Sequence, residues 1–295
     1  MVSMALARTV LINLATSARL EQVVRTVPRG EQLAWRAASR YVAGSTAEDA
    51  FRVSRELHSR GVASSIDLFG ESIQDPSVAG SIGADYVQLA DRLAAQPEDV
   101  WLSIDLSHLG LDVDRRRCAE RLAEVAVRLP AGRRIQVGAE DVARAEPVLE
   151  CVLAAAEKGL ADRLGATVQA NLHRAAGDME RLIAAGIHIR LVKGAYVEPR
   201  QHALSHGEPT DVAYVHLAHR LAQGQANFSL ATHDVVLREA LLTALGPMPV
   251  EQLLGVRPAE LDDLAARGIP VRVYVPYGTN WFRYWMRRVA ESQGS

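Results

Sequence analysis

The 295-residue sequence predicts an α/β protein, a distorted (β/α)8 barrel of the TIM type preceded by an N-terminal helical arm. Short β-rich runs alternate with amphipathic helical stretches, and strand alternating with helix points to a parallel sheet. Eight such runs fall within residues 61–276, close to the roughly 250 residues of a typical barrel. No low-complexity segment or linker divides them. The competing architecture is an open doubly wound sheet, whose G-x-G-x-x-G turn after the first strand is absent here.

Residues 1–60 read as helices, because LEQVVRTV and EQLAWRAASRYVAG carry apolar positions at helical spacing. The strand runs follow: GVASSID (61–67), VWLSID (100–105), RIQVG (134–138), GATVQA (165–170), HIRLVKG (188–194), FSLATHD (228–234), PVEQLL (249–254) and PVRVYVP (270–276). Helical text such as DRRRCAERLAEVAVRL, AYVHLAHRLAQGQ and PAELDDLAARG lies between them. The division is therefore an arm over 1–60 and a barrel over 61–295.

A net charge of −2 gives no electrostatic footprint for nucleic acid or an acidic membrane. No apolar run reaches the length of a membrane span. The apolar start MALARTVLINLATSARL is broken by Arg8 and Asn13 and reads as a helix rather than a signal peptide. Cys118 and Cys151 form no C-x-x-C pair and read as buried thiols, which suits the cytoplasm.

Barrel sites collect at the C-terminal ends of the strands. Those ends carry Asp67, Asp105, Gly138, Gln169, Arg190 with Lys193, Thr232 with His233, Glu251, and Tyr274. Buried strands should read as continuous Val, Ile and Leu, so a ring of charged residues there marks a site. After the last strand, Asn280 can cap the helix WFRYWMRRVAES. Its Arg287 and Arg288 are about 100° apart and can reach one point. Glu291, four residues from Arg287 and three from Arg288, can hold a guanidinium in place. Paired guanidiniums suit a carboxylate, although a basic last turn also complements the helix dipole.

RLVKGAY (190–196) followed by EP, ATHD (231–234), LLGVRPAELDDLA (253–265) and VYVPYG followed by Y-x-x-R-R-x-x-E (284–291) resemble proline dehydrogenase in its single-domain bacterial form. The likeness runs in order from about residue 60 to 292. It implies a flavin-binding catalytic barrel with FAD as cofactor and no metal, catalysing hydride transfer from a carbon beside an amine to flavin N5. Arg190 is implied as the catalytic residue beside the flavin. Gln169, Val192, Lys193, Gly194, Ala195, Thr232 and His233 are implied to line the cofactor with it. Tyr196, Leu253 and Tyr274 are implied to wall the substrate pocket, with Arg287 and Arg288 clamping an amino-acid carboxylate and Glu291 steadying them. The loop VEPRQHALSHGEPTD is a candidate lid. The electron acceptor would be a quinone, oxygen or a carrier protein, and a homo-oligomer is an open option.

The chain departs from the family pattern on the substrate side. Asp105 stands where the family has a lysine, Gly138 where it has an aspartate, Asn171 where it has an aromatic and Glu251 where it has a glutamine. These changes favour a proline-like or N-substituted amino acid as substrate, bound by Asp105 together with the arginine pair. True proline oxidation and a non-catalytic barrel subunit are the alternatives. A metal hydrolase is the other enzyme class weighed, but His202, His206, His216 and His219 form no ligand motif.

Overall fold

The computed structural model describes residues 26–27, 29–70 and 72–292. Eight parallel strands close in chain order: β1 (Ala63–Leu68), β2 (Val100–Ile104), β3 (Ile135–Val137), β4 (Leu164–Gln169), β5 (His188–Val192), β6 (Phe228–Ala231), β7 (Val250–Leu253) and β8 (Val271–Tyr277). Closure is made by β1 against β8, from Ala63 opposite Arg272 to Leu68 opposite Tyr277. The sheet therefore has no free edge, and the open alternative falls.

Helices α1 (Gly30–Ala38) and α2 (Ala47–His58) precede β1. Between the strands run α3 (Pro76–Arg92), α4 (Arg115–Arg128), α5 (Val142–Ala155), α6 (Ala175–Ala184), α7 (Glu208–Gln223), α8 (Val235–Leu245) and α9 (Pro258–Ala266), and α10 (Trp281–Ser292) follows β8. Aspartates start several of them. Asp75, Asp114, Asp141 and Asp234 accept backbone N–H groups at the starts of α3, α4, α5 and α8. Thr46 and Asp49 form a reciprocal capping box on α2, which packs against β1 and β8. Of the expected arm, residues 1–25 lie outside the described part of the structure. Helix α1 packs on α10, where Trp35 meets Trp281 edge-on at 5.1 Å and Ala34, Ala38, Val42, Phe282 and Tyr284 complete a separate apolar cluster.

The main core lies between the strands and the surrounding helices and includes Leu102, Ile104, Ile135, Leu191, Leu230, Val273 and Val275. The strands are not uniformly apolar, as the polar residues read along them indicate. Alternate residues put Ser65, Asp67, Gln136, Gln169, His188, Arg190, Ser229 and Glu251 into the barrel interior, all buried. Strand alternation allows this, because the outward face alone supplies the apolar contact with the helices. The lower interior is filled by Arg272, which donates to the Ser64 and Asp99 carbonyls at 2.6 and 2.7 Å and covers the Trp101 ring at 3.4 Å. Among the described residues, no helix is long and apolar enough to cross a membrane, and no three His, Cys, Asp or Glu side chains are grouped to hold a metal.

Candidate active site

Arg190 projects from β5 into the barrel and is 8% exposed. Its Nε and Nη2 lie 2.7 and 2.6 Å from Glu251 Oε2 on β7. Ser229 donates to Glu251 Oε1 at 2.6 Å, and Ser65 accepts from Arg190 at 3.5 Å. Four strands thus fix one guanidinium. Burial pushes the Glu251 carboxyl up, but the Arg190 charge and hydrogen bonds bring it below its ordinary value. Glu251, read from the sequence as part of an altered substrate side, is the ion-pair partner of Arg190. Closure brings these two residues together across a separation of 61 positions.

Val192 at the end of β5 and Lys193 and Gly194 beyond it are half-buried at the mouth, and Ala195 is exposed. Lys193 Nζ lies 2.6 Å from Asp211 and 2.7 Å from Asp234. Burial lowers this ammonium, and the two carboxylates more than offset it, so its pKa is raised. Gly194 has φ +107°, and a Cβ there would sit 2.0 Å from Asn171 Oδ1, so no other residue fits without strain. Asn171 Oδ1 itself is buried with no hydrogen-bond partner among the described residues. The segment read as a lid is pinned. Tyr196 Oη donates to the Ala139 carbonyl at 3.2 Å, Glu198 accepts from Val142 N–H at 2.8 Å, and Leu204 N–H donates to Asn171 at 2.7 Å.

The neighbouring strand ends complete the rim. Gln169 Nε2 donates to the Glu140 carbonyl at 2.8 Å. Thr232 accepts from Asp234 N–H at 3.2 Å, which shapes the turn into α8. His233 Nε2 accepts from Leu253 N–H at 3.3 Å, leaving Nδ1 buried without a partner among the described residues. Burial, and then the nearby positive charge of Arg288, depress His233 to about 4. Leu253 is half-buried beside it.

On the other side of the mouth, Tyr274 Oη donates to Asp67 Oδ2. Burial raises Asp67 to about 7 despite this bond and the charge of Arg190. Tyr284 of α10 lies 6.0 Å from Tyr274 and 5.2 Å from Phe69. Half-buried Arg288 sits over the Tyr284 ring at 5.1 Å. The helix after β8 therefore turns one of its arginines toward the barrel mouth. The side chains of Arg287 and Glu291 lie outside the described part of the structure. Asp105 fills the room that Gly138 leaves, its Oδ1 1.9 Å from where a Cβ on Gly138 would stand.

The structure thus gathers Gln169, Arg190, Val192–Ala195, Thr232, His233, Leu253, Tyr274 and Arg288 around one opening. Sequence reasoning missed Asp211 and Asp234 as holders of Lys193. The signal for Asp234 was the N-cap position directly after the sixth strand. The rim charges are largely neutralised by one another, leaving a buried acceptor at Asn171 Oδ1 and a buried donor at His233 Nδ1, as a surface built to receive a polar ligand does.

Comparison with known proteins identifies the family. The family model described as proline dehydrogenase matches residues 50–295. Proline dehydrogenase 1 of Bacillus subtilis subsp. natto is 32% identical over 263 residues, covering 86% of this chain and 86% of its own. Proline dehydrogenase of Deinococcus radiodurans is 32% identical over 282 residues, covering 90% of each. Among solved structures, proline utilization A of Bdellovibrio bacteriovorus, inactivated by N-propargylglycine, superposes with a TM-score of 0.80 at 18% identity over 98% of this chain. The same protein of Bradyrhizobium japonicum gives 0.76 at 22% over 90%. This chain spans 36% and 32% of those two longer proteins, which share its fold. The chain belongs to the proline dehydrogenase family, FAD-dependent oxidoreductases acting on CH–NH groups.

Proposed function

We propose that the protein is a proline dehydrogenase, oxidising proline to pyrroline-5-carboxylate. The observation that carries this is the placement of two guanidiniums at one opening: Arg190 on the floor, held by Glu251 at 2.6 Å, and Arg288 on the lip of α10. The relatives at 32% identity support it.

The residues present fit FAD. Gly194 lets the backbone approach a planar ring closely, and the buried Nδ1 of His233 and Oδ1 of Asn171 offer polar contacts. Gln169, Arg190, Val192, Lys193, Gly194, Ala195, Thr232 and His233 would hold it. Bound FAD supplies the acceptor for a hydride. Arg190 stabilises negative charge there, its own charge moderated by Glu251. Arg287 and Arg288 orient the substrate by its carboxylate, Glu291 steadies them, and Tyr196, Leu253 and Tyr274 exclude water from the reacting carbon. In this reading residues 61–295 are the catalytic barrel and 1–60 lie outside it. The buried, unbridged Cys118 and Cys151 agree with a cytoplasmic setting.

The test is anaerobic titration of the purified holoprotein with proline, following flavin bleaching and the pyrroline by NMR. Bleaching without pyrroline, or no bleaching, would refute it. A second reading, a linear or N-substituted amino acid, is favoured by Asp105 turning an acidic group into the space beside Gly138. N-substituted glycines bleaching the flavin faster than proline would select it.

A further inference from the structure

The interior holds a second acidic device that the roles above do not use. Asp67 lies at the end of β1, 4% exposed, and receives the Tyr274 hydroxyl proton in a hydrogen bond. Its opposite charge is Arg190, and that guanidinium is committed to Glu251 on two nitrogens at 2.7 and 2.6 Å. Tyr274 is half-buried and stands at the mouth beside Tyr284. Because Tyr274 gives its hydrogen to Asp67, its phenolic lone pairs remain as acceptors. The result is a buried carboxylate reaching the opening through one hydroxyl.

Oxidation of an amine needs such a group. A secondary ammonium has no lone pair and must lose one N–H proton. The freed pair then forms the C=N bond as the C–H hydrogen leaves with two electrons to the FAD, and the product departs as a protonated imine. We propose that Tyr274 and Asp67 take this proton together: Tyr274 Oη accepts it from the substrate nitrogen while passing its own hydrogen to Asp67 Oδ2. The inference rests on the substrate reading above. Other groups suit the task less. His233 lies near Arg288 and is depressed to about 4. His108, against Tyr86 at 3.3 Å, is held neutral by burial and depressed to about 4. Glu251 is engaged by Arg190 and Ser229.

The titratable and charged groups whose fields bear on the pair are Arg190 from β5, Asp105 from the β2 end, Tyr86 from α3, Tyr277 from β8 and Tyr284 from α10. Burial outweighs the Tyr274 bond and the Arg190 charge and raises Asp67 to about 7. A raised carboxyl is a competent acceptor only above that value. The rate of flavin reduction should therefore climb as pH passes through about 7 and then level.

The experiment compares the wild-type holoenzyme with Asp67→Asn and Tyr274→Phe. Stopped-flow reduction by proline should slow by roughly 100-fold in Asp67→Asn, with loss of the limb near neutrality. Tyr274→Phe should move that limb to higher pH, since Asp67 loses its donor. A readout without turnover is calorimetry with the ring-oxygen analogue of proline, which carries the carboxylate and no N–H. Its binding should draw a proton into the wild type near neutral pH and none into Asp67→Asn. An unchanged limb and unchanged proton uptake in Asp67→Asn would overturn the inference. If that variant fails to retain FAD, an unmoved limb in Tyr274→Phe does so. A wild type that proline cannot reduce at any pH would instead defeat the substrate reading, and the inference with it.

Discussion

Replacing Glu251 by Gln removes one charge from a buried pair while keeping its shape. The guanidinium and carboxylate atoms meet at 2.6 and 2.7 Å, which puts the charge centres about 4 Å apart. At that spacing the attraction is about 4 kcal/mol for an effective dielectric near 20. The glutamine oxygen keeps one charge-assisted hydrogen bond to Arg190, worth roughly 1.5 kcal/mol, while its NH2 group can donate to the Ser229 hydroxyl oxygen. The expected net loss is roughly 2–3 kcal/mol, just under the roughly 3–5 kcal/mol for leaving a buried charge with no partner. Equilibrium urea unfolding at neutral pH, monitored by tryptophan fluorescence, reads this as a lower midpoint at unchanged slope. The pH dependence carries a sign. Glu251 is depressed in the folded state, so its contribution is fully present above the unfolded value of 4.5 and is lost as pH falls below it. The gap between wild type and variant should therefore narrow on acidification. A variant within about 0.5 kcal/mol of wild type at neutral pH, or a gap that widens in acid, would refute the reasoning.

Arg288→Ala should raise KM for the amino acid by roughly 10- to 150-fold with a smaller change in kcat, as expected for a lost charge-assisted contact of about 1.5–3 kcal/mol; steady-state kinetics check it. Gly194→Ala should purify with less bound FAD, because the new methyl meets Asn171 and the backbone must keep φ +107°; the flavin-to-protein absorbance ratio reports it. His233 should titrate by NMR near pH 4. Because its folded value is depressed, its contribution to stability is present above the unfolded value of about 6.5 and declines as pH falls toward 4.

The barrel was legible because each strand is short, β-rich and followed by an amphipathic helix. The run 188–194 contains β5 and the run 270–276 nearly coincides with β8. The positions of Gln169 and Thr232 at strand ends were legible for the same reason, whereas Arg190 and Tyr274 lie within β5 and β8 rather than at their ends. What period and motif do not contain is who faces whom across the closed sheet. Arg190 meets Glu251 and Tyr274 meets Asp67, 207 residues away, only because alternation and closure turn them inward together. The fastening of the segment read as a candidate lid was hidden for a similar reason. Backbone hydrogen bonds from Leu204 and His173 fasten that segment to its neighbour, and backbone partners leave no residue-type signature.

The packing of α1 on α10 joins the first described helix to the last one. Trp35 buttresses the same helix that presents Arg288 to the opening. Shortening the chain past residue 40, or fusing a bulky tag there, would thus be felt as weakened grip on the substrate's acid group rather than as a melted barrel.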